Sequence, residues 1–283
     1  MKLLTLNTHS LQEENYEKKL DWFIESILEE RPDIIALQEV NQTADAELAG
    51  AELLEGQVPI PGSKPVRQDN HAAQVVYRLR QAGIDCSWAW LPIKLGYGKY
   101  DEGVAILSLG KKISAAEAFP ISKANDYHNW RTRAVLGVQV EGMDDWFYTI
   151  HMGWWDDAEE PFLEQWERLT QRISHKRKQA AVWLMGDFNA PDIVPGQSYE
   201  HILHCGWVDT YQVAAEKDFG ITVPDVIDGW RDKLNDIKRT GMRLDYIWCS
   251  RNVCVRSFRV IFNGSNRPVV SDHFGVLINT KEK

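Results

Sequence analysis

AVWLMGDFN, residues 181–189, is an apolar run that leads directly into the polar triplet Asp187-Phe188-Asn189. A short apolar run of this kind, bounded by a glycine, predicts a buried β-strand. In α/β folds, ligands bind at the loops that follow one end of the strands. GDFN alone is also compatible with a simple turn, so its meaning depends on the residues at the ends of the other strands.

Polar side chains with metal-ligand or acid–base chemistry take the same place relative to several other predicted strands. Singly, each has an ordinary explanation, because asparagine often follows a strand in a turn and a lone glutamate is usually a solvated surface charge. The repeated placement predicts that these residues form one site. They are Asn7 after KLLTL, Glu39 after DIIALQ, His151 after WFYTI, Asp245 within RLDYIW, and Asp272 and His273 within VVSDHFGV.

The other apolar stretches alternate between β-rich runs and helical patterns, which predicts an α/β protein. Helical spacing predicts helices over residues 15–31, stopped by Pro32, and over residues 71–81. A further helix follows HMGWWDD, with Asp156 or Asp157 as its cap and Pro161 in its first turn. Strands are predicted over residues 2–6, 33–37, 87–91, 104–108, 134–140, 146–150, 181–185, 244–249, 255–261 and 275–278.

Composition narrows the class of protein. The chain has 283 residues without repeats, and we expect a single domain over residues 1–283. A net charge of −9 disfavours a general nucleic-acid binder and suits carboxylates gathered around a divalent cation. The four cysteines lack paired spacing, no signal peptide is recognisable, and no apolar run approaches the ~20 residues of a membrane span. We therefore expect a cytoplasmic protein without membrane contact, and leave its oligomeric state open.

Seven motifs in chain order resemble the endonuclease/exonuclease/phosphatase superfamily: LNTHS, LQEV, EGVAILS, HMGWW, GDFNA, RLDYIW and SDHFGV. They run from Asn7 to His273, so the resemblance covers essentially the whole chain. GDFN together with a late SDH is the most specific pair. The resemblance implies a four-layer α/β sandwich, in which two mostly antiparallel sheets face each other and are flanked by helices.

The resemblance also implies a metal-dependent phosphoesterase. Glu39 would be the main metal ligand, with Asp272 and Asn7 close to the metal or its waters. Magnesium is the expected ion because it prefers a few carboxylates plus water, and manganese is an alternative. Cleavage of a phosphate ester requires that negative charge on the phosphoryl group be offset and that a water be activated.

By the same resemblance, Asp187 would orient or deprotonate the attacking water, and Asn189 would hold that water or a phosphate oxygen. The family pattern pairs His273 with Asp245, and His151 with Glu102 of EGVAILS. Charged, both imidazoles would donate hydrogen bonds to phosphoryl oxygens. The remaining histidines have no such support and are expected at the surface or in the core, with His9 and His128 as loop neighbours of the site.

Tryptophans in predicted loops indicate the substrate. Trp130, Trp154, Trp155 and Trp230 suit the apolar faces of sugar rings. Basic residues such as Arg133 and Arg243 are enough for one phosphate group but do not form a track for a polymer. At the level of the subgroup, the chain is similar to bacterial maltose 6′-phosphate phosphatases. This implies hydrolysis of a small-molecule sugar phosphate, with residues 221–243 as the segment that determines specificity.

Three other functions stay open at this stage. A DNA phosphodiesterase, either an abasic-site endonuclease or a 3′-exonuclease, is disfavoured by the acidic charge and the missing basic track. A lipid phosphodiesterase lacks the support of a signal peptide or an exposed apolar hairpin. A non-catalytic binding protein would not need the complete set of metal-ligand and acid–base residues.

Overall fold

The computed structural model describes residues 1–196, 198–224 and 241–281. Its five α-helices within these ranges are α1 (Tyr16–Glu30), α2 (His71–Gln81), α3 (Phe162–Gln179), α4 (Ser198–His204) and α5 (Thr210–Val213). Its strands are β1 (Lys2–Asn7), β2 (Ile34–Thr43), β3 (Cys86–Gly96), β4 (Tyr100–Leu109), β5 (Ile113–Pro120), β6 (Ala134–Val140), β7 (Trp146–His151), β8 (Val182–Asp187), β9 (Val208–Asp209), β10 (Glu216–Lys217), β11 (Asp245–Cys249), β12 (Val255–Ile261) and β13 (Gly275–Thr280).

The strands form two sheets. One has seven strands in the order β10-β12-β13-β1-β2-β4-β3, and the other has six in the order β5-β6-β7-β8-β11-β9. Neighbouring strands are antiparallel except for the parallel pairs β1–β2, β10–β12 and β7–β8. The expectation of two mostly antiparallel sheets is therefore confirmed.

Alternating side chains build the layers. Leu3 of β1 packs between the sheets with residues of β6, β7 and β8, whereas Leu4 and Leu6 face outward beneath α1 and α2. On the far side, Tyr148 and Ile150 of β7 pack beneath α3 and α4. Because successive side chains of a strand point to opposite faces, each sheet is buried on both sides. The result is the expected four-layer sandwich, helix–sheet–sheet–helix.

Most predicted elements are present, and β6, β12 and α2 have the predicted bounds. The prediction missed β5, whose sequence ISAAEAFP has small residues at several positions and lacks a clear alternation of large apolar side chains. It also missed α4, α5 and the two-residue strands β9 and β10. None of the helices in the described ranges is long and apolar enough to span a bilayer.

The predicted cap of α3 is wrong. The helix begins at Phe162, and its N-cap is Pro161, which is extended with ψ 136°. Asp157 instead closes a turn that precedes the helix, where its Oδ1 accepts the backbone N–H of Glu159 at 2.9 Å. The proline, with its restricted φ, follows this turn and separates it from the first helical turn.

Acid is expected to destabilise the fold through His71, in the first turn of α2. The ring is 5% exposed and hydrogen-bonded to the Tyr16 hydroxyl, and burial lowers its pKa to about 3. The unfolded chain takes up the proton at a pKa of about 6.5, so stability is lost as the pH falls below that value. Between about pH 7 and about pH 5, this residue should lower the free energy of unfolding by about 2 kcal/mol.

Urea unfolding at the two pH values measures this loss in the wild type and in His71→Gln, which does not take up the proton. The pH dependence should shrink by about 2 kcal/mol in His71→Gln. It should be unchanged in His175→Gln, since His175 is exposed on α3. Equal pH dependence in His71→Gln and the wild type would show that another group controls acid sensitivity.

Candidate active site

Two parallel strand pairs bring the polar strand ends together. β1 and β2 run parallel with Asn7 beside Gln38, and β7 and β8 run parallel with His151 beside Asp187. The carboxyl ends of β1, β7 and β8 and the middle of β2 therefore meet at one edge of the sandwich, where Asn7 Nδ2 donates to Asp187 Oδ2 across the two sheets at 3.2 Å. The sequence prediction that these residues form one site agrees with this geometry.

Glu39 reaches the site through an irregularity in β2. The register between β2 and β4 shifts between Leu37 and Val40, and Glu39 lies in this bulge with φ 51°. Left-handed backbone costs energy in residues other than glycine, and such strain is concentrated at functional sites. His9, Tyr97 and Asn189, which line the same pocket, also have positive φ.

Gly186, the first residue of GDFN, lies where two strands approach each other closely. Its φ is 145°, and a Cβ at this position would lie 2.0 Å from the carbonyl oxygen of Ile150. Only glycine therefore allows β7 and β8 to approach closely enough to bring His151 and Asp187 side by side.

The acidic side of the site can hold a divalent cation. Asn7 Nδ2 donates to Glu39 Oε1 at 3.0 Å, and Ser271 Oγ contacts both the Asn7 carbonyl at 2.7 Å and Asp272 Oδ1 at 3.2 Å. Burial raises the pKa of Glu39, and the nearby carboxylates of Glu102 and Asp272 raise it further. A cation that prefers oxygen ligands would offset the repulsion between these carboxylates, so the donor set fits the expected metal.

Asp187 lies at the centre of the site. Its Oδ1 accepts the backbone N–H of Asn189 at 2.8 Å, and its Oδ2 lies 3.8 Å from His151 Nε2 and 3.9 Å from His273 Nε2. Burial raises the pKa of this carboxyl to about 7, although the charge of His273 opposes the rise. A carboxyl with a pKa near neutrality suits proton transfer to and from water.

The two histidines differ in charge. His273 Nδ1 contacts Asp245 Oδ2 at 2.9 Å, as the family pattern implies. Burial opposes the charged ring, but the carboxylates of Asp245, Asp187 and Asp272 together outweigh burial and raise the pKa of His273 well above its usual value. Burial lowers the pKa of His151 well below its usual value, and the charges of Arg133 and Lys94 lower it further. Their surroundings thus favour the charged form of His273 and the neutral form of His151.

The expected pairing of His151 with Glu102 is wrong. Lys94 and Glu102 are cross-strand partners in β3 and β4, and Lys94 Nζ binds Glu102 Oε1 at 2.9 Å. The carboxylate that lies beside His151 is that of Asp187. Glu102 nevertheless lines the pocket, through its pairing with Lys94.

These residues surround a pocket of about 410 Å³. Three aromatic side chains also line it: Trp130, which is 54% exposed, Tyr97, which is 56% exposed, and Trp154. Arg133, which the sequence predicted to bind substrate, forms part of its wall. Sequence reasoning missed Lys94 and Tyr97, and placed His9 only as a neighbour of the site.

The structure does not place Trp155 or Arg243 in this pocket, which corrects the expectation of substrate contact there. Trp155 packs against the cores beside α3 and lines a separate groove with Pro161 and Phe162. Arg243 is 5% exposed and forms ion pairs with Asp209 and Asp192, so its charge is used within the protein. Trp230 and most of the predicted specificity segment lie outside the described residues.

HMGWWDD links two loops that carry tryptophan. Asp157 Oδ2 accepts Arg131 Nε at 2.7 Å, and the Arg131 guanidinium stacks 4.4 Å from the ring centroid of Trp130. Three residues beyond this stretch, the Glu160 carboxylate accepts hydrogen bonds from the backbone N–H groups of Lys123 and Ala124. Asp157 and Glu160 therefore hold the loop that carries Trp130 against the loop that carries Trp154.

His9, which the sequence predicted as a loop neighbour of the site, lines the pocket itself. Its Nδ1 contacts Glu13 Oε1 at 2.8 Å, and the ring lies near Asp272. Burial opposes its charge, but the hydrogen bond to Glu13 and the carboxylates of Asp272 and Glu39 raise its pKa to about 9. The signal was present in the LNTHS motif, two residues after Asn7.

Comparisons with known proteins agree with this geometry. A model of the Endonuclease/Exonuclease/phosphatase family matches residues 4–273. A solved structure of an endonuclease/exonuclease/phosphatase family protein from Leptotrichia buccalis is 33% identical with a TM-score of 0.85, and 100% of each chain is covered. A comparison with curated proteins finds no match.

Two more distant structures share the fold. A mannosyl-6-phosphatase from Bacteroides thetaiotaomicron is 16% identical with a TM-score of 0.65, with 100% of both chains covered. A 3′ phosphatase from Neisseria, bound to a product DNA hairpin, is 19% identical with a TM-score of 0.63, again with 100% of both chains covered. At this identity, the likeness shows the fold alone.

Proposed function

This chain belongs to the endonuclease/exonuclease/phosphatase family of metal-dependent phosphoesterases, and from that premise we propose that it is a magnesium-dependent phosphomonoesterase acting on a sugar phosphate. The observation that carries the proposal is the make-up of the pocket. Its walls combine carboxylates, two cations and an aromatic rim formed by Tyr97, Trp130 and Trp154. A volume of about 410 Å³ suits a small molecule.

Each part of the pocket has a role in this reaction. Magnesium, held by Glu39 and Asp272 with Asn7 alongside, would offset charge on the phosphoryl group when bound. Asp187 accepts a hydrogen bond from the attacking water and takes its proton. The amide of Asn189, one residue beyond Phe188, helps to hold the water or a phosphoryl oxygen in line.

The two histidines would serve the transition state differently. His273, charged and fixed by Asp245, donates a hydrogen bond to a phosphoryl oxygen as negative charge builds there. His151 is neutral and lies on the side of Lys94 and Arg133. It donates a hydrogen bond without adding a third positive charge to that wall.

The sugar would lie at the aromatic rim. Ring faces of tryptophan and tyrosine pack well against the C–H faces of a sugar, and their polar atoms take hydroxyl groups. We propose maltose 6′-phosphate as the substrate, with maltose and phosphate as products, because of the subgroup resemblance of the sequence. The name of the Bacteroides neighbour is in keeping with a hexose 6-phosphate.

Release of inorganic phosphate with magnesium tests the proposal directly. The panel contains maltose 6′-phosphate, trehalose 6-phosphate, glucose 6-phosphate and glycerol phosphate, with an abasic-site DNA duplex and sphingomyelin in parallel. We expect selective turnover of a disaccharide phosphate that is lost in Asp187→Ala. Cleavage of DNA or sphingomyelin without turnover of any sugar phosphate would overturn the proposal.

Trp130→Ala connects that activity to the rim. The KM for the preferred disaccharide phosphate should rise by about tenfold, in line with the loss of one aromatic contact. Turnover of glycerol phosphate, which has no ring, should be nearly unchanged and serves as the internal control. An equal loss for both substrates would mean that Trp130 supports the loop rather than the sugar.

A further inference from the structure

Two cations, Lys94 and Arg133, form part of the wall of the pocket. The Lys94 side chain is 13% exposed, and Arg133 is 6% exposed. Arg133 Nη1 donates to the carbonyl oxygens of Trp130 at 2.7 Å and Thr132 at 3.0 Å. Its Nε has no hydrogen-bond acceptor among the residues that the structure describes. A buried guanidinium with an unused donor is costly unless a ligand completes it.

The two cations differ in their carboxylate contacts. Glu102 pairs with Lys94 at 2.9 Å, and in the described ranges Arg133 forms no ion pair with a carboxylate. The cross-strand register of Lys94 with Glu102 and the packing of Gly96 against the Glu102 carboxylate hold the pair in place. Within the described ranges, Glu102 is therefore the one carboxylate in an ion pair with these two cations, whereas Glu39 and Asp187 act on Arg133 from a greater distance. Burial lowers the pKa of both Lys94 and Arg133, and the nearby carboxylates of Glu102 and Glu39 offset this only in part.

We propose that Lys94 and Arg133 form a dianion subsite that selects a phosphomonoester over a phosphodiester. The inference rests on the proposed function and deepens it by naming the residues that recognise the terminal phosphoryl group.

The chemistry of the two ester classes makes the distinction. A phosphomonoester carries about −1.5 to −2 charges near neutral pH and has three strong acceptor oxygens. A phosphodiester carries a single charge and has two non-bridging oxygens. With magnesium on the acidic side, the extra charge and extra oxygen of a monoester face Lys94 and Arg133. The flat fork of the guanidinium suits paired phosphoryl oxygens.

Chromogenic esters without sugar isolate this subsite. We would measure kcat/KM for p-nitrophenyl phosphate and for bis(p-nitrophenyl) phosphate in the wild type, Lys94→Met and Arg133→Met. The preference for the monoester should fall by at least about tenfold in each variant, which corresponds to one charge-assisted hydrogen bond. Lys99→Met, at an exposed lysine of the β3–β4 turn, should keep the wild-type preference.

Two further measurements keep the test decisive. If Arg133→Met does not fold, Arg133→Lys takes its place, because it keeps the charge but loses the fork. In the presence of magnesium, inorganic phosphate should raise the thermal midpoint of the wild type, and dimethyl phosphate should not. Lys94→Met should lose this shift, a readout that does not depend on turnover.

The outcomes separate the two proposals. Turnover of a sugar phosphate with an unchanged ester preference in both variants would overturn the dianion subsite and leave the proposed function standing. A fall in ester preference without turnover of any sugar phosphate would support the subsite and overturn the sugar assignment.

Discussion

Asp187→Asn is expected to lower kcat for phosphate release by about a thousandfold, with little change in the fold. The amide has the same shape as the carboxylate but does not accept a proton from water. Asp187 is hydrogen-bonded to the Asn189 backbone and to Asn7, and it lies within 4 Å of both histidines. Replacing the carboxylate therefore removes the proton acceptor that lies at the centre of these contacts.

Steady-state kinetics on the preferred substrate measures this loss, and circular dichroism with thermal unfolding checks the fold. Asp156→Asn is a matched control, because it makes the same chemical change at an exposed position beyond Trp155. That variant should keep nearly full activity. Retention of wild-type kcat in Asp187→Asn would contradict a role for Asp187 in activating water.

Glu39→Gln is expected to lower activity by about a hundredfold or more and to weaken magnesium binding. Glu39 is the carboxylate that the bulge in β2 directs into the site, and Asp272 and Glu102 crowd it with negative charge. An amide oxygen is a weaker ligand for a hard cation than a carboxylate. Activity should therefore require a higher magnesium concentration and should not recover fully at saturation.

Two readouts separate metal binding from catalysis. Magnesium should raise the thermal midpoint of the wild type, and this shift should be lost or greatly reduced in Glu39→Gln. Glu14→Gln, at an exposed position before α1, should behave like the wild type in both measurements. A wild-type magnesium response in Glu39→Gln would mean that the metal is held elsewhere.

Local sequence signals predicted the layers of the sandwich and several residues that the structure brings together at one edge. The apolar runs before Asn7, His151 and Asp187 coincide with strands that end at these residues, and polar residues at strand ends lie at one edge of a sandwich. At Glu39 the prediction was less accurate, because β2 continues through a bulge to Thr43. The pairing of His273 with Asp245 followed from the family resemblance and agrees with the structure.

Contacts that depend on strand register or join distant segments were harder to predict. Lys94 forms an ion pair with Glu102 because the register of β3 and β4 places the two residues opposite each other. Nothing in EGVAILS alone indicates which residue of a neighbouring strand will lie opposite Glu102. Arg243 was expected at the substrate because it is basic and close to the RLDYIW strand. Its two carboxylate partners are Asp192 and Asp209, which are far from it in sequence.

The adjacent Trp154 and Trp155 show a similar limit. The sequence placed both in one loop and assigned both to the sugar. The structure directs Trp154 into the pocket and packs Trp155 against the core beside α3. Adjacent residues in a loop separate in this way because the backbone turns between them, and composition does not encode the direction of that turn.

The position of β1 between β2 and β13 has a consequence for synthesis on the ribosome. Leu3 pairs with Ile34 on one side and with Ile278 on the other. Until β13 emerges from the ribosome, one edge of β1 remains unpaired. The loop that carries Asp272 and His273 has then not yet packed beside Asn7, and the site is incomplete. Such distant pairing slows folding and leaves a strand edge open to aggregation. A nascent chain that lacks β13 would therefore be inactive, and chaperones that cover β-strand edges should raise the yield of active protein.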